Sequence, residues 1–119
     1  MEVLSKQQFL KNKGRYYRKI SEGAVFIYPT DTIYGIGCDA TNPEAVKRVR
    51  GMKKRDQKPF SVAVPSKKWI LSNCELNAAA KKWLQKLPGP YTLLLRLKNK
   101  KAVAKEAIPG TNIIGVRIP

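Results

Sequence analysis

Residues 26–37, FIYPTDTIYGIG, set three apolar or aromatic residues before a proline. A Thr-Asp-Thr turn follows, and then Ile-Tyr-Gly-Ile-Gly. The apolar run from Ala24 to Tyr28 is short and stops at Pro29, which favours a buried strand over a helix. Its continuation has two readings. It is a tight turn, for which Gly35 and Gly37 suffice, or it is a strand end that offers hydroxyls and open backbone to a small ligand.

Working outward, three more segments read as strands: PFSVAV at 59–64, YTLLLRL at 91–97 and IIGVRI at 113–118. The stretches between them read as helices. Residues 4–21 carry Leu4, Leu10, Tyr17 and Ile20 at helical spacing among cations, with Gly14 weakening the pattern. Thr41 or Asn42 can cap a helix that has Pro43 in its first turn and Glu44 facing its positive end. Ala45, Val46, Val49 and Met52 then share one face. Residues 66–71 and 76–87 read as two more helices, the second with a stripe of Leu76, Ala80, Trp83 and Leu87. Pro88-Gly89-Pro90 breaks the chain, and 100–107 reads as a short helix. Strands alternating with helices predict an α/β layer structure with helices packed on a sheet.

The 119 residues hold 24 Lys and Arg against 8 Asp and Glu, a formal charge of +16. A potential of that sign draws polyanions: nucleic acid, nucleotide phosphates or anionic lipid. The absence of histidine removes the usual general base and the commonest metal ligand. Cys38 and Cys74 are too few and too far apart for a zinc cluster, so no metal site is expected, and they read as reduced thiols. The polar N-terminus lacks a signal-peptide core, and no apolar run approaches the ~18 residues of a spanning helix. The expectation is a soluble cytoplasmic protein with no membrane contact. The chain stops at Pro119, directly after an apolar strand, which reads as a missing covering element.

Between Lys47 and Lys58 lie seven cations and one acid, Asp56. Lys47, Arg48 and Arg50 can simply form a solvated helix face. Lys53 and Arg55 fall past Gly51, where that helix should end, and Lys-Pro follows. Loops at strand ends bind ligands in α/β proteins. Cations converging there suit a triphosphate, Arg bidentate and Lys as a mobile point charge. Neither a P-loop nor a dinucleotide fingerprint is present, since YGIGCD has the wrong spacing.

YPTDTIYGIG, KKRDQKPF, PGPYTLLL and GVRIP, in that order, resemble the YrdC/Sua5 family of L-threonylcarbamoyladenylate synthases. The resemblance is strongest from 24 to 119, and residues 1–119 are taken as one YrdC-like domain without the family's C-terminal Ser-x-Asn segment. It implies an α/β twisted open sheet with flanking helices and a concave, basic face. It also implies a nucleotidyltransferase that condenses L-threonine, bicarbonate and ATP, with Mg²⁺, to threonylcarbamoyl-AMP and pyrophosphate for t6A modification of tRNA. Thr32 would contact threonine, Tyr34 would shape its pocket and Arg117 would hold its carboxylate. Lys53 and Arg55 would bind ATP phosphates, and Lys58 would add another ATP contact. Asp31 stands where the family has Asp or Glu. Ile113 departs from a hydroxyl residue common near ATP, leaving a backbone contact there. Further implied partners are tRNA or other RNA, through the basic surface, and other proteins of the t6A pathway. Such chemistry needs positioning and charge stabilisation more than a protein nucleophile, which accommodates the missing histidine. Other readings are a basic RNA-binding YrdC/YciO-type module without synthase activity and the related domain of the hydrogenase-maturation carbamoyltransferase. The short chain alone is expected to release little pyrophosphate in response to threonine.

Overall fold

The computed structural model describes residues 2–29, 34–53 and 60–119. Among the described residues, six short strands form two sheets, and some of the five α-helices cover one side of the larger. The α/β expectation holds.

The N-terminal helix is two helices. Ser5 caps α1 (Lys6–Lys11) in a reciprocal capping box, its Oγ accepting from the Gln8 amide at 3.1 Å while Gln8 Oε1 accepts from the Ser5 amide at 2.8 Å. The break comes at Asn12, which closes α1 and opens α2 (Lys13–Ser21). Gly14, the residue suspected of weakening the helix, lies inside α2. Neither helix buries a residue, so no core contact holds the two turns in line.

The opening stretch forms a hairpin. Strand β1 (Phe26–Pro29) pairs antiparallel with β2 (Tyr34–Gly37) as a separate two-stranded sheet. The buried single strand expected at 24–28 is corrected on both counts, since Ile27 and Tyr28 are 55% and 43% exposed. Among the described residues the hairpin has no further sheet neighbour, and Ile27 and Tyr28 stay exposed. The glycines here do more than turn the chain. Phe26 faces Gly37 and Tyr28 faces Gly35, and a Cβ on either glycine would come within 2.7 Å of the opposing ring. The aromatic rings lie across the bare backbone of β2, as aromatic residues do opposite strand glycines.

Helix α3 (Pro43–Lys53) starts as read, with Asn42 Oδ1 accepting from the Ala45 amide at 3.1 Å and Ala45, Val46 and Val49 buried. It does not end at Gly51, and Met52 is exposed. The larger sheet has the order β3-β6-β5-β4, from β3 (Ser61–Ala63), β4 (Cys74–Glu75), β5 (Leu93–Leu97) and β6 (Ile113–Arg117). Strand β3 runs parallel to β6, and the other pairings are antiparallel. Helices α4 (Lys67–Asn73) and α5 (Ala78–Leu84), capped by Ser66 and Asn77, cover one face. There Ile70, Leu84, Leu95, Ile114 and Val116 share a core. Helix α5 is shorter than 76–87; Ala80 and Leu84 face the core from it, and Leu87 is buried just past its end. Trp83 points outward instead, 44% exposed beneath the Lys86 ammonium. The helix read at 100–107 is only a 3-10 turn at Lys105–Ala107, with Val103, Ala104, Ala107 and Ile108 buried around it.

Candidate functional site

Register decides which side chains leave the covered face of the larger sheet. Strand β5 alternates buried and exposed, with Leu93, Leu95 and Leu97 inward. Its outward residues pair with outward residues of β6: Leu94 with Gly115 and Arg96 with Ile113. Across the parallel pair, Ser61 meets Gly115 and Ala63 meets Arg117. Ser61, Ala63, Leu94, Arg96, Ile113, Gly115 and Arg117 therefore share one open face. Leu94 is 75% exposed on it. Gly115 lies at its centre, where an added Cβ would stand 3.2 Å from Thr92 Cγ2 and 3.4 Å from Ser61 Oγ. The result is a floor with two hydroxyl residues at its middle and the Arg117 guanidinium at one end. Pairing residues by type alone does not find Ser61 and Thr92. The signal was the glycine in an otherwise branched strand, IIGVR, opposite Leu94.

A cleft of 590 Å³ opens beside Ile113, with Arg96, Lys100 and Lys105 among its lining residues and no acid among the described ones. Arg96 also pairs with Glu75 at 3.8 Å. Residues 110–113 also line the cleft, and Thr111 Oγ1 accepts from the Ile113 amide at 3.0 Å. The cleft is chemically suited to an anion that carries an apolar part, because Leu97 and Ile108 line it too.

Arg50 is the largest departure from the sequence reading. It is not on a solvated face but 9% exposed. Its Nε donates to the Glu106 carbonyl at 2.6 Å and its Nη2 to the Ala107 carbonyl at 3.2 Å. The guanidinium lies 4.3 Å from the Phe60 ring centroid. Phe60, in turn, donates its amide to the same Ala107 carbonyl at 3.0 Å. The two anchors bracket residues 54–59, the basic stretch, and tie both its approaches to one turn. Lys47 and Arg48 do lie exposed as read, Lys47 near Glu44 and Arg48 donating to the Gly23 carbonyl at 3.1 Å.

Of the residues singled out for threonine, Tyr34 opens β2 and is 73% exposed, while Arg117 closes β6. They lie on different sheets. Lys53 ends α3. Asp31, Thr32, Arg55 and Lys58 lie outside the described residues. The described chain resumes at Phe60, three residues and about 10 Å of strand from Ala63, which pairs with Arg117.

Burial raises the Cys38 thiol, with Asp39 adding to it, and burial raises Cys74 against a smaller opposing effect of Lys98. Neither is primed as a nucleophile. Among the described residues no group of three or more acidic, His or Cys side chains could hold a metal ion. No described helix is long and apolar enough to cross a membrane.

A family model described as "Telomere recombination", covering the Sua5, YciO and YrdC proteins, matches residues 18–119. A Methanocaldococcus jannaschii protein, named provisionally as a threonylcarbamoyl-AMP synthase, is 39% identical over 104 residues, 86% of this chain and 48% of its own. The threonylcarbamoyl-AMP synthase of Buchnera aphidicola is 36% identical over 97 residues, 77% of this chain and 51% of its own. The chain thus spans about half the length of these curated relatives. Among solved structures, P. abyssi Sua5 complexed with L-threonine matches with a TM-score of 0.75 at 27% identity, over 99% of this chain and 34% of that one.

Proposed function

This chain belongs to the Sua5/YciO/YrdC family, and on that premise we propose that it contributes the threonine- and phosphate-handling part of an L-threonylcarbamoyl-AMP synthase. The observation that carries the reading is the likeness of nearly the whole chain to a protein solved with L-threonine, together with an open sheet face that ends in Arg117. Residues 24–119 are read as part of one family domain.

In this reading the threonine carboxylate lies against the Arg117 guanidinium, a charge-assisted fork contact. Thr32 and Tyr34 wall the side-chain end of the pocket. ATP lies across Ile113, contacting backbone there, with its phosphates towards Lys53, Arg55 and Lys58. The cations of the neighbouring cleft deepen the same potential. Mg²⁺ arrives on the nucleotide. The amine of threonine adds to bicarbonate, forming an N–C bond and losing water to give an N-carboxylate. A carboxylate oxygen then attacks the α-phosphorus, the new O–P bond forms and pyrophosphate leaves. The residues named here orient the reactants and offset developing charge, so no protein nucleophile is consumed. The product would feed t6A formation on tRNA in the cytoplasm, alongside other proteins of that route, and the excess positive charge supports contact with RNA.

L-Threonine against L-valine is the direct test, because the two differ by a hydroxyl in place of a methyl. A site that pairs the hydroxyl leaves its own polar groups unpaired around valine, a penalty of about 1–3 kcal/mol. Threonine should therefore raise the melting temperature where valine at equal concentration does not, and Arg117→Ala should abolish the difference. Equal protection by both amino acids overturns the assignment.

A further inference from the structure

Arg50 has no role in the proposed site, yet its guanidinium joins the segments around it. Helix α3, which ends at Lys53, is bridged to the turn at Lys105–Ala107 through the Glu106 and Ala107 carbonyls. Phe60 donates its amide to the same Ala107 carbonyl and sets its ring 4.3 Å from the guanidinium. It stands one residue before Ser61, where β3 begins.

From the bridged turn, a run of hydrogen bonds leads to Ile113. The Ile108 amide donates to the Lys105 carbonyl at 3.2 Å, and the Thr111 amide donates to the Ile108 carbonyl at 3.3 Å. The Ile113 amide then donates to Thr111 Oγ1 at 3.0 Å. Lys105, Ile108, Thr111 and Ile113 all line the 590 Å³ cleft, whereas Arg50 does not. The turn also has ties that do not depend on Arg50. The Ala104 amide donates to the Ala40 carbonyl at 2.8 Å, and Ala104 and Ala107 pack with Val46. Without Arg50 the turn therefore stays attached to α3, but two of its carbonyls lose the rigid fork that sets its orientation. The consequence falls on where Lys105 stands.

We propose that Arg50 is a positioning residue for the nucleotide: by holding the 105–107 turn against α3 it fixes Lys105 at the cleft beside Ile113. The inference rests on the reading of that side of the sheet as the ATP site. Lys105 is the residue that touches the ligand, and Arg50 acts through it. A cation's contact with a phosphate oxygen is short and directional, so a shift of about an ångström in the turn forfeits much of it. Lysine at position 50 could carry the charge but could not span two carbonyls with a planar fork. The role therefore belongs to the shape of the guanidinium and not to its charge alone.

The test is calorimetric titration of the full 119-residue chain with ATP, and with inorganic tripolyphosphate as a second probe. Lys105→Gln should weaken ATP binding about 5–10-fold, the size of a lost charge-assisted contact. Arg50→Leu should weaken it by a similar factor. The double variant should fall within about twofold of the weaker single variant, whereas independent effects would multiply to about 25–100-fold. Arg50→Lys should stay at least about threefold weaker than the parent chain. Leu84→Ala, which opens a cavity at a buried position on α5 instead, should leave affinity unchanged. All titrations are run at a temperature where circular dichroism shows the variants folded. Full affinity in Arg50→Leu overturns the proposal, as does full rescue by Arg50→Lys. Multiplied losses in the double variant, or an equal loss in Leu84→Ala, overturn it too. Should Arg50→Leu not fold, Arg50→Lys alone and combined with Lys105→Gln decides by the same criteria. The threonine–valine thermal shift separates this inference from the functional one. Its absence in the parent chain removes the functional reading and leaves Arg50 to be judged on tripolyphosphate. Its presence, with phosphate affinity unchanged in the Arg50 variants, sinks this inference alone.

Discussion

Replacing Arg50 by leucine tests the anchor that frames the basic stretch. The side chain is 9% exposed, and bonds of 2.6 and 3.2 Å from it end on main-chain carbonyls of the turn at Lys105–Ala107. A hydrogen bond to a charged group contributes about 1.5–3 kcal/mol, and a guanidinium stacked on an aromatic ring adds about 0.5–1. Two effects offset part of this. Leucine gains apolar burial worth about 1.5–3 kcal/mol, and the Ala107 carbonyl keeps its bond from the Phe60 amide. The Glu106 carbonyl loses the Arg50 donor. A net loss of about 2 kcal/mol follows, read by urea denaturation, with a fall in melting temperature of about 6–10 °C for a chain of this size. Arg50→Lys keeps the charge but cannot reproduce the fork, so about 1 kcal/mol should be lost. Lys47→Ala, on the solvated side beside Glu44, should change stability by less than about 0.5 kcal/mol. If Arg50→Leu proves as mild as Lys47→Ala, Arg50 is not an anchor and the framing of residues 54–59 is wrong.

Glu2 is held below its ordinary value of 4.5, first by the Tyr16 hydroxyl and then by Lys19. Its contribution is present above the unfolded value and is lost as pH falls through the folded one, so Glu2→Gln should flatten the acid limb of a melting-temperature profile. Tyr16 is raised above 10.0, by burial first and then by Glu2. Its contribution persists below the unfolded value and is lost as pH climbs through the folded one, which an absorbance titration of tyrosinate should show as a late-ionising group. Both cysteine thiols are raised by burial. A chromogenic disulfide reagent at neutral pH should react slowly with half-buried Cys38 and reach Cys74 only on unfolding; rapid native labelling of Cys74 would contradict its burial. Gly115→Ala should shift stability by less than about 1 kcal/mol, since only the Thr92 side chain must yield by a few tenths of an ångström. The same change should still weaken threonine binding in calorimetry, and unchanged affinity would mean that the ligand does not lie over this point of the sheet.

Much of the architecture is legible one residue after the next. The strand at YTLLLRL, the Asn42-Pro43-Glu44 helix start and the Pro88-Gly89-Pro90 break each rest on the propensity or dihedral restriction of their own residues, and each appears where the residues call for it. The four ordered motifs identify the family by the same local means. What the amino-acid order did not reveal depends on partners far along the chain. Arg50 looks like one more cation in a basic run until its acceptors, 56 and 57 residues away, are in place. Gly35 and Gly37 look like turn residues until the register sets Tyr28 and Phe26 across them. Ser61, Gly115 and Arg117 become one surface only through a parallel pairing between strands some fifty residues apart. A side chain's periodicity is a property of its own segment, whereas its burial and its hydrogen-bond partner belong to whichever segment the fold brings against it, and only tertiary structure supplies that.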